Sequence, residues 1–233
     1  MKTPVRSMQD PLRNVERPKL YQCVCDIIQA DSQRMSCLHA LKQLALPQGY
    51  LGAGFLRNAI WDFLHQKSTL TPLNDVDVIY FDADNTQRAK DTFYEMQLNE
   101  LLPQVKWQVK NQARMHVLHG HTPYKHCEEA ISYWIEKETC VAIALSTRDS
   151  VALSSSTSAS SSANGSSSGS ASARLSSSFE TAGPFEILAP FGLQANFAGT
   201  ISINPKFPRP DVFNERIQKK RWCEIWPTLT VAS

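Results

Sequence analysis

Thr71-Pro-Leu-Asn-Asp-Val-Asp-Val-Ile-Tyr-Phe-Asp82 is the stretch whose reading decides the fold. From Asp75 to Phe81 it alternates and is rich in β-branched and aromatic residues, which is strand composition. A polar loop through Pro72 and Asn74 leads into it. Alternate strand residues share a face, so Asp75 and Asp77 point the same way with Cα atoms roughly 6.7 Å apart. Two carboxylates presented together repel unless they are paired or hold a cation. Hard oxygen ligands of this kind suit Mg²⁺ (or Mn²⁺), with water and phosphate oxygens completing the shell. Val76, Val78 and Ile79 anchor the strand in a core and give the acids a rigid support. Asp-x-Asp alone is equally the pattern of a strand with a solvated acidic edge, so context decides.

Immediately upstream, Gly52-Ala53-Gly54 ends a short strand and opens a helix over 55–66, with Ile60, Phe63 and Leu64 on one face. A glycine turn at a helix N-terminus brings backbone N–H groups up to phosphate oxygens, although glycine there also serves backbone freedom alone. Arg57 and Asn58 fall in the first turn, beside any bound anion. Earlier still, Leu20, Val24, Ile27 and Ile28 recur at helical spacing. Asp31-Ser32 caps a second helix carrying Met35, Leu38, Leu41 and Leu44, which stops before Pro47. The two make an amphipathic hairpin, and residues 1–17, rich in proline and charge, read as a disordered leader.

Downstream, the pattern predicts a helix over 89–102 and a strand over 105–109. A helix from Pro123 to Trp134 follows, then strands over 141–145 and 185–189. Between those strands lies Ser154 to Ser178, where roughly three residues in five are serine. Such a tract buries too little apolar surface to offset its ordering entropy, so it is expected to be a disordered insertion in a hairpin loop. Loop closure costs only about 0.6 kcal/mol per doubling of length, which makes the insertion tolerable. Near the C-terminus, Phe213, Ile217, Trp222 and Trp226 lie among Arg209, Arg216, Lys219, Lys220 and Arg221. The aromatics are expected to dock a terminal helix, its Lys/Arg run forming a solvated face. One domain over 18–229 with a tail at 230–233 results.

Composition bounds the function. A hydrophobic fraction of 42% and a charged fraction of 20% are those of a globular protein. The net charge of +2 does not indicate nucleic acid. No apolar run approaches the ~18 residues of a membrane span, and Asp10 and Glu16 argue against a targeting leader, so a cytoplasmic protein is expected. The 6 cysteines lack framework spacing and read as reduced, mostly buried thiols. His116, His119, His121 and His126 fit no zinc motif, and no Gly-x-Ser-x-Gly elbow is present. Lys110 and Arg114, at the end of an apolar strand, can neutralise triphosphate charge. Asn111 and Gln112 can bond a base or sugar, or simply form a capped, solvated loop.

A glycine turn, a helix, then Asp-x-Asp on a strand resembles the DNA polymerase beta-type nucleotidyltransferase superfamily. Within it the chain is similar to an uncharacterised nucleotidyltransferase-like family. The matching strings are Gly52-Ala-Gly-Phe-Leu-Arg-Asn58 with Trp61-Asp62, and Thr71 to Asp82. Trp107-Gln-Val-Lys-Asn-Gln-Ala-Arg-Met-His116, Ala189-Pro-Phe-Gly-Leu193 and Trp226-Pro227 match as well, so the likeness runs from Leu38 to Leu229 outside the serine tract. It implies an α/β (α+β) fold, a mixed sheet flanked by helices, and metal-dependent transfer of a nucleoside monophosphate from a nucleoside triphosphate to an acceptor it leaves unspecified. Asp75 and Asp77 would hold the metal, two ions serving the acceptor hydroxyl and the departing pyrophosphate. Gly52, Ala53, Gly54 and Arg57 would grip the triphosphate. Two departures stand out. The interval from Gly54 to Asp75 is long for these enzymes. A third carboxylate expected on a later strand is missing near Trp107 to Lys110, leaving Glu136 as the first substitute and Glu186 as the second. Without a third acid, the alternative is a catalytically degenerate nucleotide-binding or interaction protein on the same fold.

Overall fold

The computed structural model describes residues 16–146 and 183–232. The serine tract and nearly all of the expected leader therefore lie outside the described residues. Arg17, assigned to that leader, instead opens the first helix.

Helix α1 (Arg17–Gln29) has proline in its first turn and buries Leu20, Val24, Cys25 and Ile28 along one stripe. Asp31 caps α2 (Ser32–Leu44) by accepting the Arg34 N–H. Strand β1 (Tyr50–Gly52) leads into α3 (Gly54–Leu64), and β2 (Val76–Tyr80) into α4 (Arg88–Leu101). Strand β3 (Trp107–Asn111) starts two residues later than expected, because Val105 N–H closes a turn onto Leu102 O. Short helices α5 (Met115–His119) and α6 (Cys127–Ile131) follow. The helix expected from Pro123 to Trp134 is only this single stretch. His126 caps it by accepting the Glu129 N–H, so the chain before it is a loop. Strands β4 (Ala142–Leu145) and β5 (Phe185–Leu188), α7 (Leu193–Phe197), β6 (Thr200–Ser202), α8 (Pro210–Lys220), α9 (Trp222–Ile225) and β7 (Thr230–Ala232) complete the fold. The last of these corrects the expected tail: Thr230–Ala232 pairs in parallel with Thr200–Ser202, which supplies its backbone partners.

The main sheet has the order β3-β2-β1-β4-β5 and is mixed. Strands β2 and β3 run parallel; β1 is antiparallel to β2 and β4, and β4 to β5. The pleat divides β2. Val76, Val78 and Tyr80 enter a core with Leu51, Leu56 and Leu98, under α1 to α4. Asp77 and Ile79 face the other side, where Ile79 joins Tyr50, Cys127 and Ile131. A third cluster gathers Trp61, Phe213, Trp222, Trp226 and Leu229, and fastens the C-terminal helices to α3.

The Asp62 carboxylate, 1% exposed, ties that cluster to the loop that leads into β2. It accepts from Trp226 Nε1 at 2.8 Å, from Thr71 N at 2.7 Å and from Thr71 Oγ1 at 2.6 Å. The long interval before Asp75 is thus a full helix plus a loop pinned at Thr71.

Leu145 lies opposite Phe185, and Ser146 N–H donates to Pro184 O at 2.9 Å, so β4 and β5 stay in register up to Ser146 and Pro184. Replacing Ser154 to Ser178 with Asn-Gly should therefore leave the melting temperature and ligand binding intact. A large loss in a thermal melt would show that the segment does more than connect the strands.

Candidate active site

The strand–helix turn is built from an unusual backbone. Gly52 is part of β1, and a Cβ on it would sit 3.0 Å from the edge of the Trp134 ring, so this glycine seats Trp134 instead of facing the cleft. Ala53 carries the strain, with φ 53 and ψ −119, a region that favours glycine. Its N–H donates to Val141 O and its carbonyl accepts the Arg57 N–H, which locks the turn. Ala53→Gly should stabilise the fold by roughly 1 kcal/mol once the freer unfolded chain is allowed for. A lower melting temperature would mean that the turn relaxes in solution.

Beyond this turn, Ala53, Gly54, Arg57 and Asn58 face Asp75, Asp77 and Gln108 across a cleft of about 330 Å³. Its third wall, from α8 and α9, supplies Arg216, Lys220 and Trp222. Arg57 is 6% exposed and lies over the faces of Trp61 and Trp222 at 4.8 and 4.6 Å. Burial pushes its guanidinium down to about 10, with Glu136 pulling upward and Arg216 downward, and it stays cationic at neutral pH. Its Nη1 donates to Thr139 Oγ1 at 2.7 Å, and its Nη2 to Asn58 Oδ1 at 2.9 Å.

Glu136, expected as the substitute third acid, is already engaged within the chain. It is fully buried; Arg216 grips it through Nε at 2.5 Å and Nη2 at 3.1 Å, and Thr139 Oγ1 donates to it at 2.9 Å. Both oxygens are engaged by the residues that set the cationic wall, so its role is to position Arg216 and, through Thr139, Arg57. Glu186, on the edge strand β5, accepts from Tyr50 OH of the central strand β1. Gln108 is the residue paired with Asp77 on the neighbouring strand, so an amide faces the acids there. Among the described residues, no three of His, Cys, Asp and Glu converge as a metal cage. Asp75 and Asp77 nevertheless fit one Mg²⁺ that shares its shell with phosphate and water. Asp75 is half-exposed and pairs with Lys106 at 2.7 Å. The Asp77 carboxylate has no hydrogen bond or ion pair within the chain among the described residues.

Burial raises the Asp77 carboxyl above the usual carboxylate range; Lys110 opposes this, Asp75 adds to it, and Arg57 and Lys220 oppose it. A raised folded-state value means that the native chain binds the proton more tightly than the unfolded chain. Stability then falls as pH rises from about 3.9 through the folded value. Asp77→Asn should consequently melt higher than wild type at pH 7 without divalent metal, the difference fading toward pH 4. An equal or lower melting temperature at pH 7 would remove this account of the site.

The other candidates divide. Lys110 lies at the edge of a second chamber beside Asp77. Asn111 is fully buried as a turn-former: Nδ2 donates to Asp82 O and Asn85 O, and Oδ1 accepts from Asp82 N and Ala113 N. That leaves it no group for a nucleotide. Arg114 is held by Asp91 on α4, which also accepts from Tyr80 OH. The histidines scatter in role: His126 caps α6, His116 bonds Ala113 O, and His121 packs on Tyr133 and Phe207. Arg216, Lys220, Thr139 and Gln108 escaped the sequence reading. Arg216 and Lys220 are four apart on α8 and so share a side of it, a signal visible in sequence.

The family model described as "Nucleotidyltransferase" matches residues 39–168 and 170–231. The chain therefore belongs to this nucleotidyltransferase family. A solved NMR structure described as a CCA-adding enzyme head domain is similar at 25% identity, with a TM-score of 0.67 over 95% of this chain and 99% of that one. A search of curated proteins found no match. No helix among the described residues is long and apolar enough to cross a membrane.

Proposed function

We propose that the protein transfers a nucleoside monophosphate from a nucleoside triphosphate to an acceptor hydroxyl. One observation carries this reading: a half-buried carboxylate, Asp77, with no partner in the chain among the described residues, stands beside Asp75 in a cleft walled by Arg57 of α3 and by Arg216 and Lys220 of α8. A carboxylate pair among cations suits an anionic ligand that arrives with a divalent metal. The acceptor oxygen attacks the α-phosphorus in line, the bond to pyrophosphate breaks, and the hydroxyl proton is released. Asp75 and Asp77 would hold Mg²⁺, which when bound supplies charge neutralisation and polarisation of the α-phosphate. Arg57, Arg216 and Lys220 balance the charge that builds on pyrophosphate. The orphan N–H groups of the first turn of α3 add fixed donors there.

A second reading, nucleotide binding without transfer, is favoured by Gln108 standing opposite Asp77 and by Glu136 being tied to Arg216. Calorimetric titration with ATP, GTP, CTP and UTP, with and without Mg²⁺, together with a pyrophosphate-release assay, separates the two. Transfer predicts Mg²⁺-dependent binding plus release, both lost in Asp77→Asn while the fold persists. Binding with no release across acceptor classes selects the second reading. Release unchanged in Asp77→Asn defeats the mechanism.

A further inference from the structure

Asp77 stands at a junction. The phosphate-side cleft and a second chamber of about 240 Å³ share Ala53, Asp77, Gln108, Thr139 and Arg216 as common walls. The cleft lies toward the start of β2, at Asp75; the second chamber runs toward its end, along Val78 and Ile79.

The two differ in chemistry. The second chamber is walled by Met115, Tyr133, Trp134 and Ile135. The only carboxylate it has besides Asp77 is Glu136, already neutralised by Arg216. Its other polar groups are the amides of Gln108 and Gln112, the Thr139 hydroxyl, the His119 imidazole and two cations, Lys110 and the Arg216 that pairs with Glu136. Burial, then the neighbouring His121 and Arg209, lower the basicity of His119 and favour its neutral form. Planar aromatic and thioether surfaces with a few amide groups suit a flat, uncharged heteroaromatic ring. They do not suit a second polyanion.

We propose that this chamber receives the nucleobase of the bound nucleotide, with Trp134 as its stacking surface and the Gln108 and Gln112 amides at its edge. The assignment rests on the nucleotide-binding reading of the adjoining cleft. It follows from tethering as well as chemistry. A base attached through ribose to an α-phosphate at Asp77 reaches the adjoining chamber without a separate binding event. Gly52 then has a defined task, since a Cβ there would crowd the Trp134 ring at 3.0 Å and displace it slightly.

The test compares each nucleoside triphosphate with inorganic tripolyphosphate, both with Mg²⁺, by calorimetry. Variants are Trp134→Leu and Met115→Ala, the latter in α5, a helix with no buried residue and so a low folding risk. Wild type should bind at least one nucleoside triphosphate about tenfold or more tighter than tripolyphosphate, the scale of base–aromatic stacking. Both variants should bring that ratio toward one while tripolyphosphate affinity is unchanged. Lys220→Ala should weaken both ligands alike. A preference that survives in both folded variants assigns the chamber to the acceptor and overturns the proposal, as does equal binding of the two ligands by wild type. Failure of wild type to bind tripolyphosphate or any nucleotide defeats the underlying reading, and this one with it.

Discussion

The ion pair between Glu136 and Arg216 is the constraint around which the site is organised. A carboxylate removed from water costs several kcal/mol unless a cation and further donors meet it. Glu136 is met by Arg216 from α8 and by Thr139, which also receives Arg57 from α3. One buried anion therefore fixes two guanidiniums that are far apart in sequence, and both edge the cleft. Their charges would repel if nothing lay between them. With Glu136 in place they form a stable wall, whose remaining positive field is directed at Asp77 and at whatever anion enters.

The aromatic cluster makes that arrangement reachable. Trp61 packs edge-on against Trp222 and Trp226, with ring centroids 5.8 and 5.1 Å apart. Asp62, the next residue of α3, takes the Trp226 indole N–H while holding Thr71. A single helix thus anchors both the C-terminal segment that delivers Arg216 and Lys220 and the loop that delivers Asp75. The strained Ala53 turn sits at the start of the same helix. Strain at such a position persists because both flanking elements are over-determined by packing. Burial of Asp77 is a second local expense borne by the surrounding core.

How much of this was legible depends on the range of the interaction. Local rules placed the helical hairpin, the Asp31 cap, β2 and the β4–β5 hairpin, because each rests on periodicity or on a contact within a few residues. The same rules shifted β3, since a turn at Val105 competes with its β-branched composition. They also extended α6 toward Pro123, where the His126 cap begins the helix later. Asn111 and Arg114 looked like ligands of phosphate or base because they are polar at a strand end. Only the fold shows that backbone groups and Asp91 already use them.

Sequence by itself placed Asp77 on a strand behind a glycine turn, since strand and helix periods are properties of the local backbone; Asp75, expected on that strand, lies one residue before its start. It could not determine which distant charges meet there. Glu136 and Arg216 are separated by 80 residues. Whether such a carboxylate binds metal or an arginine depends on which side chain desolvation brings to it, and that is decided when the C-terminal helices close over α3. The tertiary structure alone therefore made Glu136 a counter-ion, Gln108 the neighbour of Asp77, and Gly52 the seat of Trp134.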